Sequence, residues 1–498
     1  MSVLEVLGRT HSRVLQWDVT NGTLIDDLAV SWEQPEPTTL VLHLNPAARW
    51  HDRAPVNGRA LTADDVVKQI ERGRQLAKER FPAVQRLQDL AGIRAVAAID
   101  GSTVRIDSAA PDPLLVQALA ARFALVQAPE AVAQFEGTWH AARPESVIGT
   151  GPFRYRGSAT GDVQTFDAVT GGHRSPHLQE IVLFPPAPDD RERFLASRVD
   201  EVTSRDRRDA TAIRAASPSA VELARFEDAP VISTLYAGRP PWNNPELRLA
   251  ISGALNRVEL GARLFGGRAA PASPVGPPSA GDGMSGPELA GFAGYEVDFE
   301  AAKRTARQRW EAAGGSGLGA VTIDYPSIFD PVYSSSSIVT GMLNEALGGQ
   351  FRAAVETYTV ISAKAVAQRY GGGEASFWFG WGPPFVEPDP ARQLGELYSS
   401  NGPGFGTTGF TDSAVDSLLA SLAVEFDQSR RSNLVRNVAR RLLELGGGGV
   451  FDWLLQRQEV FRWPYFNGRS PSPWPDQWRD AAAFLDPADD SFARRPAG

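Results

Sequence analysis

The sequence predicts a mixed α/β protein with more than one structural unit, and three observations carry that expectation. Strand-like and helix-like segments alternate along the whole chain with no internal repeat, the pattern of α/β or α+β architecture. The length of 498 residues exceeds what one small core organises, and at roughly 150 residues per domain it points to two to four units. Hydrophobic residues make up 42% and charged residues 22%, so the chain belongs with globular proteins rather than disordered or fibrous ones.

Taken in order, the first sixty residues read as strands and turns. "TTLVLHL" (38–44) is β-branched and apolar, and "NGR" (57–59) is a turn signal. A helix starts at Thr62, with Asp65 three residues on as the returning arm of a capping box and Val66, Val67, Ile70 and Ala77 as its apolar stripe. "TVRIDS" (103–108) alternates as a strand does, and "PLLVQALAARFAL" (113–125) reads as a mostly buried helix. "GTGPFRYRG" (149–157) joins a tight glycine turn to a strand. It lacks both a dinucleotide fingerprint and the lysine of a phosphate-binding loop. "EIVLFP" (180–185) is a strand followed by the helix "DDRERFLAS".

Residues 243–265, "NNPELRLAISGALNRVELGARLF", read as one helix, with Asn244 as N-cap, Pro245 at the first helical position, and Leu247, Ile251, Leu255, Val258 and Ala262 on one face. The Gly/Pro/Ala/Ser-rich stretch 266–291 reads as a long loop. Three more helices are predicted: "DFEAAKRTARQRWEAAGG", capped by Asp298 and stopped by Gly314, then "TDSAVDSLLASLAVEF" and "SRRSNLVRNVARRLLEL". A strand, "DWLLQRQEVFRW", comes after them.

Composition excludes several function classes. A net charge of −9 opposes nucleic-acid binding, and the short basic clusters at 205–208 and 440–441 read as solvated helix faces. The absence of cysteine removes disulfides, iron–sulfur clusters, thiolate zinc sites and cysteine nucleophiles, while leaving the compartment open. No apolar run of about 18 residues is present to span a membrane. The first residues, "MSVLEVLGRTHSRVLQWD", do not form a signal peptide. Of the six histidines only His173 and His177 lie close together; Pro176 opposes a helical metal-binding pair, so a solvated loop and no bound metal are expected. "SSSS" (334–337) and "GGGG" (446–449) read as loop, and no serine triad can be argued.

The order of several segments is specific. "LIDDLAVSWEQPEPTTLVLHLNPAARWHDRAPVNGRALTADDVV" (24–67), "GTGPFRYRG", "PPWNNPELRLAISGALNRVEL", "DFEAAKRTARQRWEAAG" and "RRSNLVRNVARRLLEL" together resemble the extracytoplasmic solute-binding proteins of ABC importers, family 5, the peptide/nickel/opine type. The resemblance runs from about Leu15 to Phe466. It implies a two-lobed periplasmic-binding-protein fold (type II, cluster C-like) with a hinge crossed twice, near "EDAPVISTLYAG" and "WLLQRQEVFRW". The expected lobes are 1–230 plus 461–498, and 231–460. It further implies capture of a small organic ligand (peptide-like, opine-like or glycoside-like), delivery to ABC permease transmembrane subunits, an extracytoplasmic location, a monomer, no cofactor and no enzymatic activity. An intracellular ligand sensor reusing the fold is the alternative. Two departures stand out. About fifty residues that the family carries before "RVLQWD", an export signal among them, are not in this sequence, and Arg53 replaces the glycine usual after "WHD", implying a changed turn.

The loop that faces the ligand in this family aligns with "FWFGWGPPFVEPDP". Peptide-binding members carry an Asp here that pairs with the ligand's amino group; in this chain Val386 stands at that place, with Glu387 adjacent, which lowers the expectation of a free-amine ligand. Trp378, Trp381 and Phe385 suit planar or apolar ligand surfaces, and core packing is an equal reading of each. Asp389 before Pro390 reads more readily as a turn former than as a contact. Tyr325 completes the candidate ligand contacts. Glu387 and Asp389 as a glycosidase-like acid pair is the minor reading, because nothing marks either as desolvated.

Overall fold

The computed structural model describes residues 3–18, 23–80, 90, 92–121, 124–136, 143–159, 162–204, 207–226, 229–276, 282–327, 336–370, 375–382, 389–402, 408–469 and 477–494. The chain forms two compact units. Met1–Ser204, Arg208–Arg225 and Glu459–Gly498 make the first, and Arg205–Arg207 with Phe226–Gln458 make the second.

The first unit opens with helix α1 (Val3–Thr10) and the antiparallel pair β1 (Leu15–Asp18) and β2 (Thr23–Asp26). Next come β3 (Ala29–Glu36), β4 (Thr39–Leu44), α2 (Ala63–Arg80), β5 (Ile93–Ala98) and β6 (Thr103–Ser108). The four strands form an antiparallel sheet in the order β3-β4-β6-β5, and Val66 and Ile70 of α2 share a core with Leu40, Leu42, Val104 and Ile106. Helix α2 starts where the sequence predicts, and Asp65 Oδ2 accepts the Thr62 N–H at 3.0 Å. The same carboxylate takes two hydrogen bonds from Arg59, at 2.7 and 2.8 Å, and one from Trp50 Nε1 at 3.3 Å, fixing the "WHD" turn against the helix. After α3 (Leu115–Ala118) and α4 (Pro129–Phe135), the antiparallel strands β7 (Phe153–Ala159), β8 (Val163–Ala168) and β9 (Glu180–Leu183) form a second sheet. Then come α5 (Asp190–Leu195), β10 (Glu201–Ser204), α6 (Arg207–Ala216) and β11 (Val221–Phe226).

The second unit contains β12 (Val231–Thr234), α7 (Pro245–Ala254), α8 (Arg257–Phe265), β13 (Ala269–Pro271), α9 (Gly286–Leu289), α10 (Phe299–Ala312), β14 (Val321–Pro326), α11 (Ser336–Leu347), β15 (Phe351–Glu356), α12 (Tyr358–Val366) and β16 (Ser376–Trp381). It continues through α13 (Ala391–Tyr398), α14 (Ser413–Leu422) and α15 (Gln428–Glu444) into β17 (Val450–Arg462). Its sheet runs β17-β12-β16-β14-β15, with β14 parallel to both β15 and β16 and β12 antiparallel to β16 and β17. The thirteen-residue β17 serves both units: Glu459–Arg462 pairs with β10, whereas its first half pairs with β12 and β13. The chain ends with β18 (Phe466–Asn467), α16 (Gln477–Ala482) and β19 (Phe484–Leu485) in the first unit.

Several sequence expectations are corrected. Residues 3–10 are helical, not strand or turn. Val6 is buried in one cluster with Phe153 and Tyr155 of β7, and Arg9 pairs with Asp480 at 2.7 Å, so tertiary contacts select the helix. The helix predicted over 113–125 shrinks to α3, because the carbonyls of Leu119 and Ala121 are taken by Leu15 N–H and Arg13 Nε instead of extending the helical ladder. The segment 243–265 is two helices. Asn244 caps α7 as expected, but Asn256 caps α8 by accepting from Glu259 N at 3.0 Å, and beyond that break Val258 and Ala262 are exposed. Stretch 266–291 is not all loop, since it supplies β13 and α9. His173 is not solvated: its Nε2 lies 2.9 Å from Asp27 Oδ1, with both side chains almost completely buried. The Arg53 guanidinium donates to the carbonyls of Pro144, Val147 and Tyr155 and ties the "WHD" turn to β7.

The "GTG" turn sits against the end of α1. An added Cβ at Gly149 would lie 2.9 Å from His11 Cα and overlap the Thr10 carbonyl, so Gly149→Ala is expected to destabilise the protein by about 3 kcal/mol, measured by denaturant unfolding. Beside it, His11 and His51 are fully buried and electrically neutral. Burial lowers their pKa values to about 3 and about 4; repulsion from His51 adds to the effect at His11, while the Gly151 carbonyl opposes it at His51. The unfolded chain protonates both below about pH 6.5. Their contribution is therefore complete above that pH and is lost as pH falls toward 4 and then 3, at about 1.4 kcal/mol per pH unit for each histidine. Unfolding free energies at pH 7 and pH 5 should show that slope, and His51→Gln should make it shallower.

Candidate functional site

Strand β16 sorts the sequence-predicted residues by its pleat. Phe377 and Phe379 are fully buried; Phe377 packs edge-on against Trp242 at 6.0 Å and Phe379 against Tyr325 at 5.9 Å. Tyr325 belongs to this helix-covered face. It has no exposed surface, its hydroxyl meets Thr340 Oγ1 on α11 at 3.1 Å, and burial pushes its phenol pKa up. Trp378 points to the opposite face, because neighbouring strand residues alternate. The structure therefore separates Tyr325 from Trp378 across the sheet.

Asp389 is buried and already engaged. Its Oδ2 accepts from Arg431 Nε at 2.9 Å and Nη2 at 2.7 Å, and its Oδ1 accepts from Ala391 N at 2.8 Å, shaping the start of α13. The Trp381 side chain and residues Phe385, Val386 and Glu387 lie outside the described residues.

On the Trp378 face the register brings together residues that sequence reasoning missed. Thr234 of β12 and Asp324 of β14 are both direct partners of Trp378, so the three side chains form one row across adjacent strands. Asp324 Oδ2 accepts from Lys364 Nζ on α12 at 2.6 Å and from Tyr370 OH at 2.7 Å. Tyr236, Ala365 and Tyr370 make a small buried apolar cluster on which Trp378 packs half-buried. Arg239 lies 5.5 Å from the Tyr236 ring centroid. Gly380, two residues on, leaves room for the indole along the strand: a Cβ there would come within 2.8 Å of the ring. One signal was available, since an acid inside the apolar run "TIDYP" is rarely buried without a partner. The Trp378 face offers an aromatic wall and hydrogen-bonding atoms. Among the described residues no group of three metal-ligating side chains is present.

The profile of the bacterial extracellular solute-binding proteins, family 5 (middle region), matches residues 23–404. The chain belongs to this family. It is 25% identical over 291 residues to "Probable di/tripeptide-binding protein 5" of Pseudomonas aeruginosa, covering 54% of this chain and 53% of that protein. It is 26% identical over 304 residues to the peptide transport periplasmic protein SapA of Salmonella typhimurium, covering 54% and 51%. The chain thus spans about half the length of these curated relatives. Across 97% of this chain and 94% of the other, the fold superposes with a TM-score of 0.74 on the binding protein AgaA of A. tumefaciens R10, solved with agropinic acid, at 19% identity. The mixed α/β fold is that of family 5 solute-binding proteins.

Because Asp389 holds Arg431 in a buried pair, Asp389→Ala should strand the guanidinium and cost about 3–5 kcal/mol of unfolding free energy. Thermal denaturation of the variant checks this, with the double variant Asp389→Ala/Arg431→Met expected to recover part of the loss.

Proposed function

We propose that this protein is the solute-capturing component of an ABC importer, working outside the cytoplasm as a monomer and delivering a small organic ligand to the permease transmembrane subunits. The family match over residues 23–404 carries this reading. Relatives named for peptide transport and a structural neighbour solved with agropinic acid support peptide-like and opine-like molecules as candidates, and the aromatic wall at Trp378 supports glycoside-like ones. The protein works by binding without covalent chemistry. The relatives' names, a di/tripeptide-binding protein and a peptide transport protein, support this reading. Capture by hinge closure around the ligand, as in periplasmic binding proteins, supplies the signal for docking.

A ligand present at a hundred times its Kd adds roughly 2.7 kcal/mol of stability, a rise of several degrees in Tm. Screening peptides, opines, glycosides and metal chelates by thermal shift should therefore find at least one that raises Tm and also lowers the radius of gyration in solution scattering. No shift with any of the four classes would overturn the proposal.

A further inference from the structure

The row Thr234–Trp378–Asp324 has a second property. Each member carries a buried polar atom without a hydrogen-bond partner among the described residues: Thr234 Oγ1, Trp378 Nε1 and Asp324 Oδ1. Thr234 and Asp324 are almost fully buried, at 4% and 1% exposure. A buried polar atom left unpaired costs on the order of 1–3 kcal/mol, so three on matched positions of three adjacent strands mark a place built to be completed.

The chemistry of the row restricts what completes it. The indole N–H only donates, the carboxylate oxygen only accepts, and the threonine hydroxyl does both. Asp324 is already engaged, because Lys364, which also lies 3.7 Å from Glu356, sits on its other oxygen at 2.6 Å and Tyr370 donates to that same oxygen. An incoming ammonium would compete with Lys364 for its anion, and an incoming carboxylate would face the remaining carboxylate oxygen. A neutral hydroxyl meets neither obstacle, accepting from Trp378 Nε1 while donating to Asp324 Oδ1. Adjacent strands lie about 4.8 Å apart, so the row addresses more than one hydroxyl of a single ring. The half-buried indole supplies the apolar surface on which the carbon face of such a ring packs.

We infer that the Thr234–Trp378–Asp324 face is a subsite for a neutral polyhydroxylated ring, the sugar or polyol part of the ligand. This rests on the capture reading above and names the ligand class for the same protein. The test uses the full chain and two variants, the near-isosteric Thr234→Val and the smaller aromatic Trp378→Phe, titrated calorimetrically with sucrose, maltose, methyl β-D-glucoside, myo-inositol and mannitol. Dialanine, trialanine and octopine serve as charged comparisons. At least one neutral compound should bind the parent protein, and each variant, with its ligand-free Tm retained to within a few degrees, should bind it about 3- to 10-fold more weakly, the effect of losing one neutral hydrogen bond. Binding confined to the charged compounds, or sugar binding indifferent to both substitutions, overturns the subsite and leaves the capture reading standing. Absence of binding by every compound, with no thermal shift in the broader screen, overturns both.

Discussion

The pleat of β16 and its register with two neighbours constrain the rest of the second unit. Along "SFWFGW", Phe377 and Phe379 must go to one side and Trp378 to the other. Pairing Trp378 with Thr234 and Asp324 then fixes which polar residues share its face. A slip of one residue in β16 would put two phenylalanines beside Lys364 and Tyr370 and press the indole into the layer built from Trp242, Tyr325 and α11. The apolar core and the polar face are thus specified by one register. Gly380 serves the same arrangement from within the strand, since any side chain there would displace the indole.

What was legible in the sequence is what acts over three or four residues. Asn244 and Pro245 at the start of α7, Asp298 and Gly314 around α10, and Asp65 returning to Thr62 are all found where the sequence places them. The break at Asn256 was written in the sequence too, as an Asn followed three residues later by a Glu, but the apolar spacing of 243–265 overrode it. The helix at 3–10 and the short α3 were not legible, because their extents are decided by partners far along the chain: Asp480 for Arg9, and Leu15 and Arg13 for the carbonyls of 119 and 121.

The same division explains the candidate site. Trp378 stood out because an aromatic cluster is visible in one short window. Thr234, Lys364 and Tyr370 carry no local mark, and they join Trp378 and Asp324 only through strand pairing and through contacts 40 and 46 residues apart. Asp389 shows the converse. It looked like a turn residue beside a possible reactive partner, and its charge is spent on an arginine 42 residues away. His173 likewise found Asp27 across 146 positions. Pairing at such separations is a property of the fold, and residue type alone does not announce it.

Pairing of the buried acids has a consequence for recognition. In the second unit Asp324 and Asp389 are each buried and paired with a base, Lys364 and Arg431, with Lys364 shared with Glu356 at 3.7 Å. Isolated buried charges would hold an oppositely charged ligand strongly but would burden the empty protein with their desolvation. Pairing them internally removes that burden and moves discrimination onto the directions of single donors and acceptors. Such groups reject a wrong ligand by leaving a hydrogen bond unmade, a penalty set by geometry rather than by net charge. Lys364, at 30%, is the most exposed member of the two pairs.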